Sequence, residues 1–514
     1  MTFEVKYTDL AGRIGRLHIK GRWLETPIYL PVIHPVNQLI PSSQIFDIGY
    51  NAVITNAYIT YRKYGEEAKE RGIHDIIGFP GIVMTDSGGY QVLEYGEVKV
   101  DPIEIAEYQR DIKSDIAVIL DTPTGYRTPR NKAVETVRKT IKAALDTLPI
   151  IEKGGPLWVG PIQGGDHLDL VSYSVKEMTK LPFDLFAIGS PVEIMNNYDF
   201  TTLVKIVMTA KAGLPLGKPV HLFGAGHPLT MALAVAMGCD LFDSASYILF
   251  AREGRYMTFY GVKRLEELTE LPCCCSICSK GLREILEMTD DEKVKALALH
   301  NLYVLKAELN AIKNAIREGR LWEYVSIKSK SHPALYKAVK ELFTNKKYFK
   351  YLDEGTPMFK EKAIFLFDEI DRHRPEVVRH HKRVRSLRIR GKRAILLVPE
   401  TYEASLFIKI RRNLGKFLER GDKFFIASPY FGPVPIEVHD VYPLSQNTMV
   451  ELDEVGEEEI ESYRKVLESF KEIVVVFERG KERFSYNLMG ILKDLGKEVS
   501  RKGPVRILDF IDNL

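Results

Sequence analysis

Two constellations in the chain have residue types suited to chemistry. The first is a set of polar residues that each close a short apolar segment: Asp86 after Ile82–Thr85, Asp121 after Ile116–Leu120, Gln163 after Leu157–Ile162 and Asp243 after Leu241–Phe242. Carboxylates brought together in this way can divide nucleophilic and proton-transfer work between them. The second is the run Cys273-Cys274-Cys275-Ser276-Ile277-Cys278, followed by His300 in a helical segment. Cys273, Cys275, Cys278 and His300 read as four ligands of one soft ion, a closed tetrahedral zinc site. Three thiolates and an imidazole leave no position for water, so this metal is expected to staple the chain and not to catalyse. Cys274 could replace a neighbour as ligand, and buried or redox thiols beside a core histidine are the alternative.

The elements that would position the first set recur along the chain. Ile28–Ile33, Ala52–Thr55, Ile82–Thr85, Ile116–Leu120, Leu157–Ile162, Leu185–Ile188, Val220–Phe223 and Leu241–Phe242 are eight strand-like segments. Stretches with helical apolar spacing, such as Ile103–Ile112 and Ala133–Leu148, lie between them. Eight such units predict an α/β fold, a parallel (β/α)8 TIM barrel with its chemistry at the carboxyl ends of the strands. An open doubly wound sheet is the alternative, and the polar residue at so many strand ends favours the barrel.

A chain of 514 residues exceeds one ordinary core, so about two to four domains are expected. With 45% hydrophobic and 27% charged residues it is globular throughout, which excludes a disordered chain. The N-terminal Met-Thr-Phe-Glu-Val-Lys has no leader character, and no apolar run approaches the ~20 residues that span a bilayer. A cytoplasmic protein without a membrane partner is expected. Four of the five cysteines sit together, unlike a secreted disulfide framework. A net charge of +3 neither requires nor excludes a nucleic acid partner, so the distribution of charge decides.

Four motifs in combination resemble the tRNA-guanine transglycosylases, and among them the archaeal type: Asp86-Ser87-Gly88-Gly89-Tyr90-Gln91-Val92, Gln163-Gly164-Gly165, Phe242-Asp243-Ser244, and the Cys-x-Cys-x-x-Cys with its later histidine. The likeness covers about the first 350 residues closely, and Tyr430-Phe431-Gly432-Pro433-Val434-Pro435 extends it. It implies exchange of the D-loop guanine at position 15 of tRNA for 7-cyano-7-deazaguanine, the precursor of archaeosine, without strand cleavage. Base exchange on an intact ribose is easiest by double displacement, which requires two acids with different roles. By similarity, Asp243 is the nucleophile that forms a covalent RNA intermediate and Asp86 handles the proton on the departing and arriving bases. Either aspartate could instead cap the helix that follows its strand. Asp121, Gln163 and the backbone at Gly189 are expected to read the edge of the base, and Tyr90 to stack on it or to pack as core. Relatives dimerise through the zinc region, so a homodimer is expected.

Arg252 and Arg255 follow the nucleophile closely and by analogy contact the RNA backbone; a solvated loop paired with Glu253 competes with that role, chiefly for Arg252. A second basic run extends from Arg379 to Arg393, where the alternation in Arg383-Val-Arg-Ser-Leu-Arg-Ile-Arg390 suggests an exposed strand or extended arm with one cationic face. The catalytic domain with its zinc region (about 270–305) is expected over 1–350, and a smaller mixed α/β accessory domain over 351–514. Within the latter, Ala394–Val398 and Lys423–Ala427 are strand candidates; a helical acidic segment, Glu451–Glu468, precedes the apolar Ile473–Phe477 and Val505–Phe510. The segment after the first strand has no Gly-rich phosphate loop, so no nucleotide cofactor is implied. The chain ends without a recognisable PUA module, from which weaker tRNA binding or help from a separate PUA-domain protein is expected. An archaeosine synthase-like enzyme and a non-catalytic tRNA-binding subunit are the rival functions.

Overall fold

The computed structural model describes residues 2–89, 101–189, 191–402, 404–414 and 421–512. The chain divides into two compact units, Met1–Thr356 and Pro357–Leu514. The first opens with an antiparallel sheet of β1 (Thr2–Asp9), β2 (Gly12–Ile19) and β3 (Arg22–Thr26). Eight parallel strands follow: β4 (Ile28–Ile33), β5 (Ala52–Asn56), β6 (Ile82–Asp86), β7 (Ile116–Val118), β8 (Leu157–Ile162), β9 (Leu185–Ile188), β10 (Val220–Leu222) and β11 (Leu241–Ser244). They close into a barrel in which β11 pairs back on β4. The barrel read from the sequence is the one observed, and each of the eight segments supplies one of its strands.

Side chains such as Leu30, Ile54, Met84, Val118, Val159 and Leu241 fill the interior, and Leu17, Ile19 and Leu24 of the N-terminal sheet join the same cluster. Ion pairs show which end that sheet closes. Arg13 donates through Nε and Nη2 to the two carboxylate oxygens of Asp240, both at 2.8 Å, and Asp240 immediately precedes β11. Arg22 donates to Asp115, immediately before β7, at 2.8 Å. The sheet therefore plugs the amino ends of the barrel strands and leaves the carboxyl ends for chemistry, the usual division in this fold.

Beyond β11 the chain forms a helix (Ser246–Arg252), a hairpin of β12 (Arg255–Thr258) and β13 (Gly261–Arg264), and a 28-residue helix (Asp290–Arg317) whose start is fixed by a Thr289–Glu292 capping box. Asn301 on the long helix ties these pieces together: its Oδ1 accepts from Met257 N and its Nδ2 donates to the carbonyls of Tyr247 and Arg255.

The second unit pairs β14 (Ile364–Leu366) with β18 (Asn447–Met449) and carries a five-stranded sheet. That sheet contains β15 (Arg393–Val398), β16 (Asp422–Ser428), β17 (Gly432–Pro435), β19 (Glu472–Phe477) and β20 (Glu498–Lys502), in the order β17-β16-β15-β19-β20 with only β17 antiparallel. Apolar clusters cover both faces. One expectation needs correction. The basic run is not an extended arm: Pro375–Ser386 is a helix that buries Val377, His380, His381 and Val384, an i, i+3, i+4, i+7 stripe. Arg385 and Arg393 within the run are held by Glu458 and Asp422, while Arg383, Arg388, Arg390 and Lys392 are exposed. The apolar segment near the C-terminus holds the helix Ile507–Asp512, with Ile507 and Ile511 one turn apart in the core. The last strand is the polar edge strand β20.

Arg13 and Asp240 are almost wholly buried, with side-chain exposures of 8% and 0%. Removing one partner leaves an uncompensated charge. Arg13→Ala is expected to destabilise the barrel unit by about 3–5 kcal/mol, read from its urea unfolding midpoint; a loss under about 1 kcal/mol would show that water replaces the guanidinium freely.

Candidate active site

Three aspartates meet at the carboxyl ends of the strands. Asp86 is the last residue of β6, Asp121 follows β7 by three residues, and Asp243 lies in β11. The Asp86 carboxyl is pushed up to about 7, first by burial and then by the negative charges of Asp121 and Asp243, against the backbone N–H groups of Gly88 and Ser87 that favour its anion. That coupling sets all three carboxylates near one another at the carboxyl end of the barrel. Asn56, at the end of the neighbouring β5, turns its Nδ2 toward Asp86 Oδ2 at 3.4 Å, and its Oδ1 caps the following helix by accepting from Ile59 N.

Asp121 is held from the side. Gln163 Nε2 donates to its Oδ2 at 2.6 Å, and Gln163 Oε1 accepts from Thr124 N at 3.0 Å, so the orientation of the amide is fixed. Burial lifts the Asp121 carboxyl to about 6 despite that hydrogen bond. Two glycines make room for the pair. A Cβ on Gly89 would sit 2.1 Å from Asp121 Oδ1, and one on Gly189 would sit 2.2 Å from Gln163 Nε2. The Gly189 N–H itself donates to Ile162 O at 2.9 Å, so what this residue contributes is space and not a free donor.

Asp243 makes no cap for the helix that follows, because Ser244 Oγ accepts from Ser246 N in its place. Its Oδ1 instead accepts from Gly224 N at 3.1 Å and from His221 Nε2 at 2.8 Å. A carboxylate can only accept, so Nε2 carries the hydrogen. His221 is fully buried on β10, and its ring packs edge-on against Phe223 at 4.7 Å. The carboxylate is thereby held in one rotamer with Oδ1 occupied, and its side chain keeps 14% of its surface accessible.

The sulfur atoms of Cys273, Cys275 and Cys278 and the imidazole of His300 lie within 4.8 Å of one another. His300 Nδ1 faces Cys278 Sγ at 3.3 Å and Cys275 Sγ at 3.6 Å. Its Nε2 donates to Met257 O at 2.8 Å, which fixes the tautomer that leaves Nδ1 free to ligate. The Tyr256 ring stacks on the imidazole at 3.7 Å. The donor set suits one soft metal ion in a closed four-coordinate site. Cys274, between two of the thiols, is exposed and stands outside the cluster.

A family model described as queuine tRNA-ribosyltransferase matches residues 9–334. The chain belongs to that family. Within it, a tRNA-guanine(15) transglycosylase of Sulfolobus acidocaldarius is 42% identical over 87% of this chain and 88% of its own length. One of Saccharolobus solfataricus is 41% identical over 91% and 94%, and one of Methanocaldococcus jannaschii is 41% identical over 88% of this chain and 69% of its own.

Against the residues expected of a transglycosylase, the structure brings Asp86, Asp121, Gln163, Gly189 and Asp243 together. Tyr90 lies outside the described residues. The competing ion pair with Glu253 falls on Arg255, at 2.9 Å, and not on Arg252; the Arg255 guanidinium also covers the Phe250 ring at 4.8 Å. Arg252 is exposed at the end of its helix. Sequence reasoning missed His221 and Asn56 as supports of the two acids. Asn56 carried a signal, a polar residue closing a strand, whereas a histidine inside Val220-His-Leu222 looks like core.

Two outcomes follow from this geometry. The folded Asp86 carboxyl, at about 7, lies above the unfolded value of about 3.9, so wild type loses stability as pH rises from about 4 to about 7. Asp86→Asn is expected to equal wild type near pH 4 and to become progressively more stable than it up to about pH 7; a difference that does not change with pH would contradict this. Cys275→Ala should lose the bound metal while Cys274→Ala keeps it, measured as metal per chain, and equal retention would overturn the ligand assignment.

Proposed function

We propose that this protein exchanges the guanine at position 15 of tRNA for 7-cyano-7-deazaguanine, as a pentosyltransferase of archaeosine biosynthesis. The observation that carries the reading is Asp243, oriented by His221 and Gly224 beside an Asp86 whose carboxyl sits near neutrality. In the first step the Asp243 carboxylate attacks C1′ of the nucleotide, the glycosidic bond breaks, and guanine leaves with the proton of Asp86. The RNA is then an ester of Asp243. In the second step Asp86 takes the proton of the incoming 7-cyano-7-deazaguanine, whose nitrogen displaces the carboxylate from C1′. Both acids end as they began, and no ATP or strand break is needed.

Asp121 and Gln163 form one hydrogen-bonded unit with a carboxylate acceptor and an amide, suited to the edge of a guanine lifted out of its stack. An archaeosine synthase-like reading, in which the nitrile already in tRNA is amidated, has no use for the Asp86 and Asp243 pair. A non-catalytic subunit has no need of the proton-ready carboxyl. The metal is proposed to be zinc, stapling β12 to the long helix through His300 and Met257. The exposed Tyr260, in the turn between β12 and β13, and Leu286, in the helix after the cysteine run, support a homodimer through that region. Action on tRNA supports a cytoplasmic location.

Incorporation of labelled guanine into unmodified tRNA tests the reading. Wild type should exchange; Asp243→Ala, or tRNA with another base at position 15, should reduce exchange by more than about a thousandfold. Exchange that survives Asp243→Ala would overturn the nucleophile, and tRNA binding without any exchange by wild type would favour the non-catalytic subunit.

A further inference from the structure

His34 follows β4, the strand that pairs with β11, and stands on the same open face of the barrel as Asp243. Its surroundings fix its chemistry. Nδ1 accepts two backbone hydrogen bonds, from Val36 N at 3.1 Å and Asn37 N at 3.0 Å, while its own backbone N–H donates to Gln38 Oε1 at 3.0 Å. A ring nitrogen that accepts twice carries no proton, so the hydrogen of the neutral imidazole is on Nε2. Nε2 has no partner among the described residues, and the side chain is exposed.

The loop that presents this donor is tied to the helix beyond the nucleophile. Gln38 Nε2 donates to Tyr247 Oη, Tyr247 Oη donates to Val32 O, and Tyr29 Oη donates to Ser244 O. Arg252 ends that helix, near enough that its charge, after burial, lowers the basicity of His34. The loop after β4 and the end of the helix after β11 thus carry a neutral donor and a cation, both exposed, on the open face of the barrel that holds Asp243.

We propose that His34 and Arg252 together grip one backbone phosphate next to the nucleotide that Asp243 attacks, His34 through a neutral Nε2–H and Arg252 through its charge. The inference rests on the transglycosylase reading for the identity of the RNA. One donor is directional and the other electrostatic, so the pair fixes both where the phosphate lies and how the ribose beyond it faces Asp243. Only Arg252 displaces a counterion from the RNA.

That difference supplies the test: the dissociation constant of unmodified tRNA against KCl concentration, with single-turnover guanine exchange at saturating tRNA measured in parallel. His34→Asn keeps an acceptor near the Nδ1 position but has no donor at the reach of Nε2. It should weaken tRNA binding by about tenfold with the logarithmic salt slope unchanged. Arg252→Gln should weaken binding and reduce that slope by about one. The double variant should lose less than the product of the two, because both act on one phosphate. Full additivity, a reduced slope in His34→Asn, or unchanged affinity in either single variant would overturn the proposal. Arg252 is exposed at a helix end, so its variant tests the idea even if His34→Asn fails to fold. Wild type that binds tRNA with these slopes but exchanges no guanine would sink the transglycosylase reading and leave the phosphate grip standing.

Discussion

Burial first, and then the charges of Asp121 and Asp243, bear on the Asp86 carboxyl at the mouth of the barrel, and the rest of the site is arranged around that constraint. Asp86, Asp121 and Asp243 cannot all be anions there without cost, and the cost is relieved where a proton is useful, on Asp86. The other two are supported differently. Asp121 has the Gln163 amide, and Asp243 has the His221 imidazole and the Gly224 N–H. Environment alone therefore separates three chemically equal side chains, and the proposed roles of acid, base-reading acceptor and nucleophile rest on that separation.

Holding the charges in place requires rigidity elsewhere. At the closed end of the barrel, Arg13 and Arg22 neutralise Asp240 and Asp115, so the strands that carry Asp243 and Asp121 at one end are anchored by ion pairs at the other. Beyond β11 the cluster of three cysteines and His300, which could hold a metal ion, has a related role. His300 is bonded to Met257 O, and Asn301 beside it bonds the carbonyl of Tyr247, a residue of the helix that follows Asp243. The long helix thus fixes the exit of the active-site strand.

The barrel was legible because its strands are buried on both faces and read as unbroken apolar runs, each stopped by a residue that the mouth of the barrel requires. The acids stand at those stops, whereas the cysteine cluster was legible from its own spacing, Cys-x-Cys-x-x-Cys with a later histidine. Other features were hidden by physics that spacing does not display. His221 sits between Val220 and Leu222 and shows no sign of its partner on the neighbouring strand β11. In the basic run, alternating arginines imitated a strand, while the burial stripe of Val377, His380, His381 and Val384 set the period at 3.6. The edge strand β20, Glu498–Lys502, carries almost no apolar signal because its pairing is through the backbone.

The most direct test of the account is covalent. Wild type incubated with unmodified tRNA, quenched in denaturant and digested should yield a peptide containing Asp243 esterified to a ribonucleotide, detected by mass spectrometry, with none from Asp243→Asn. Guanine exchange proceeding at full rate with no such adduct, or an adduct on Asp86, would contradict the division of labour among the three aspartates.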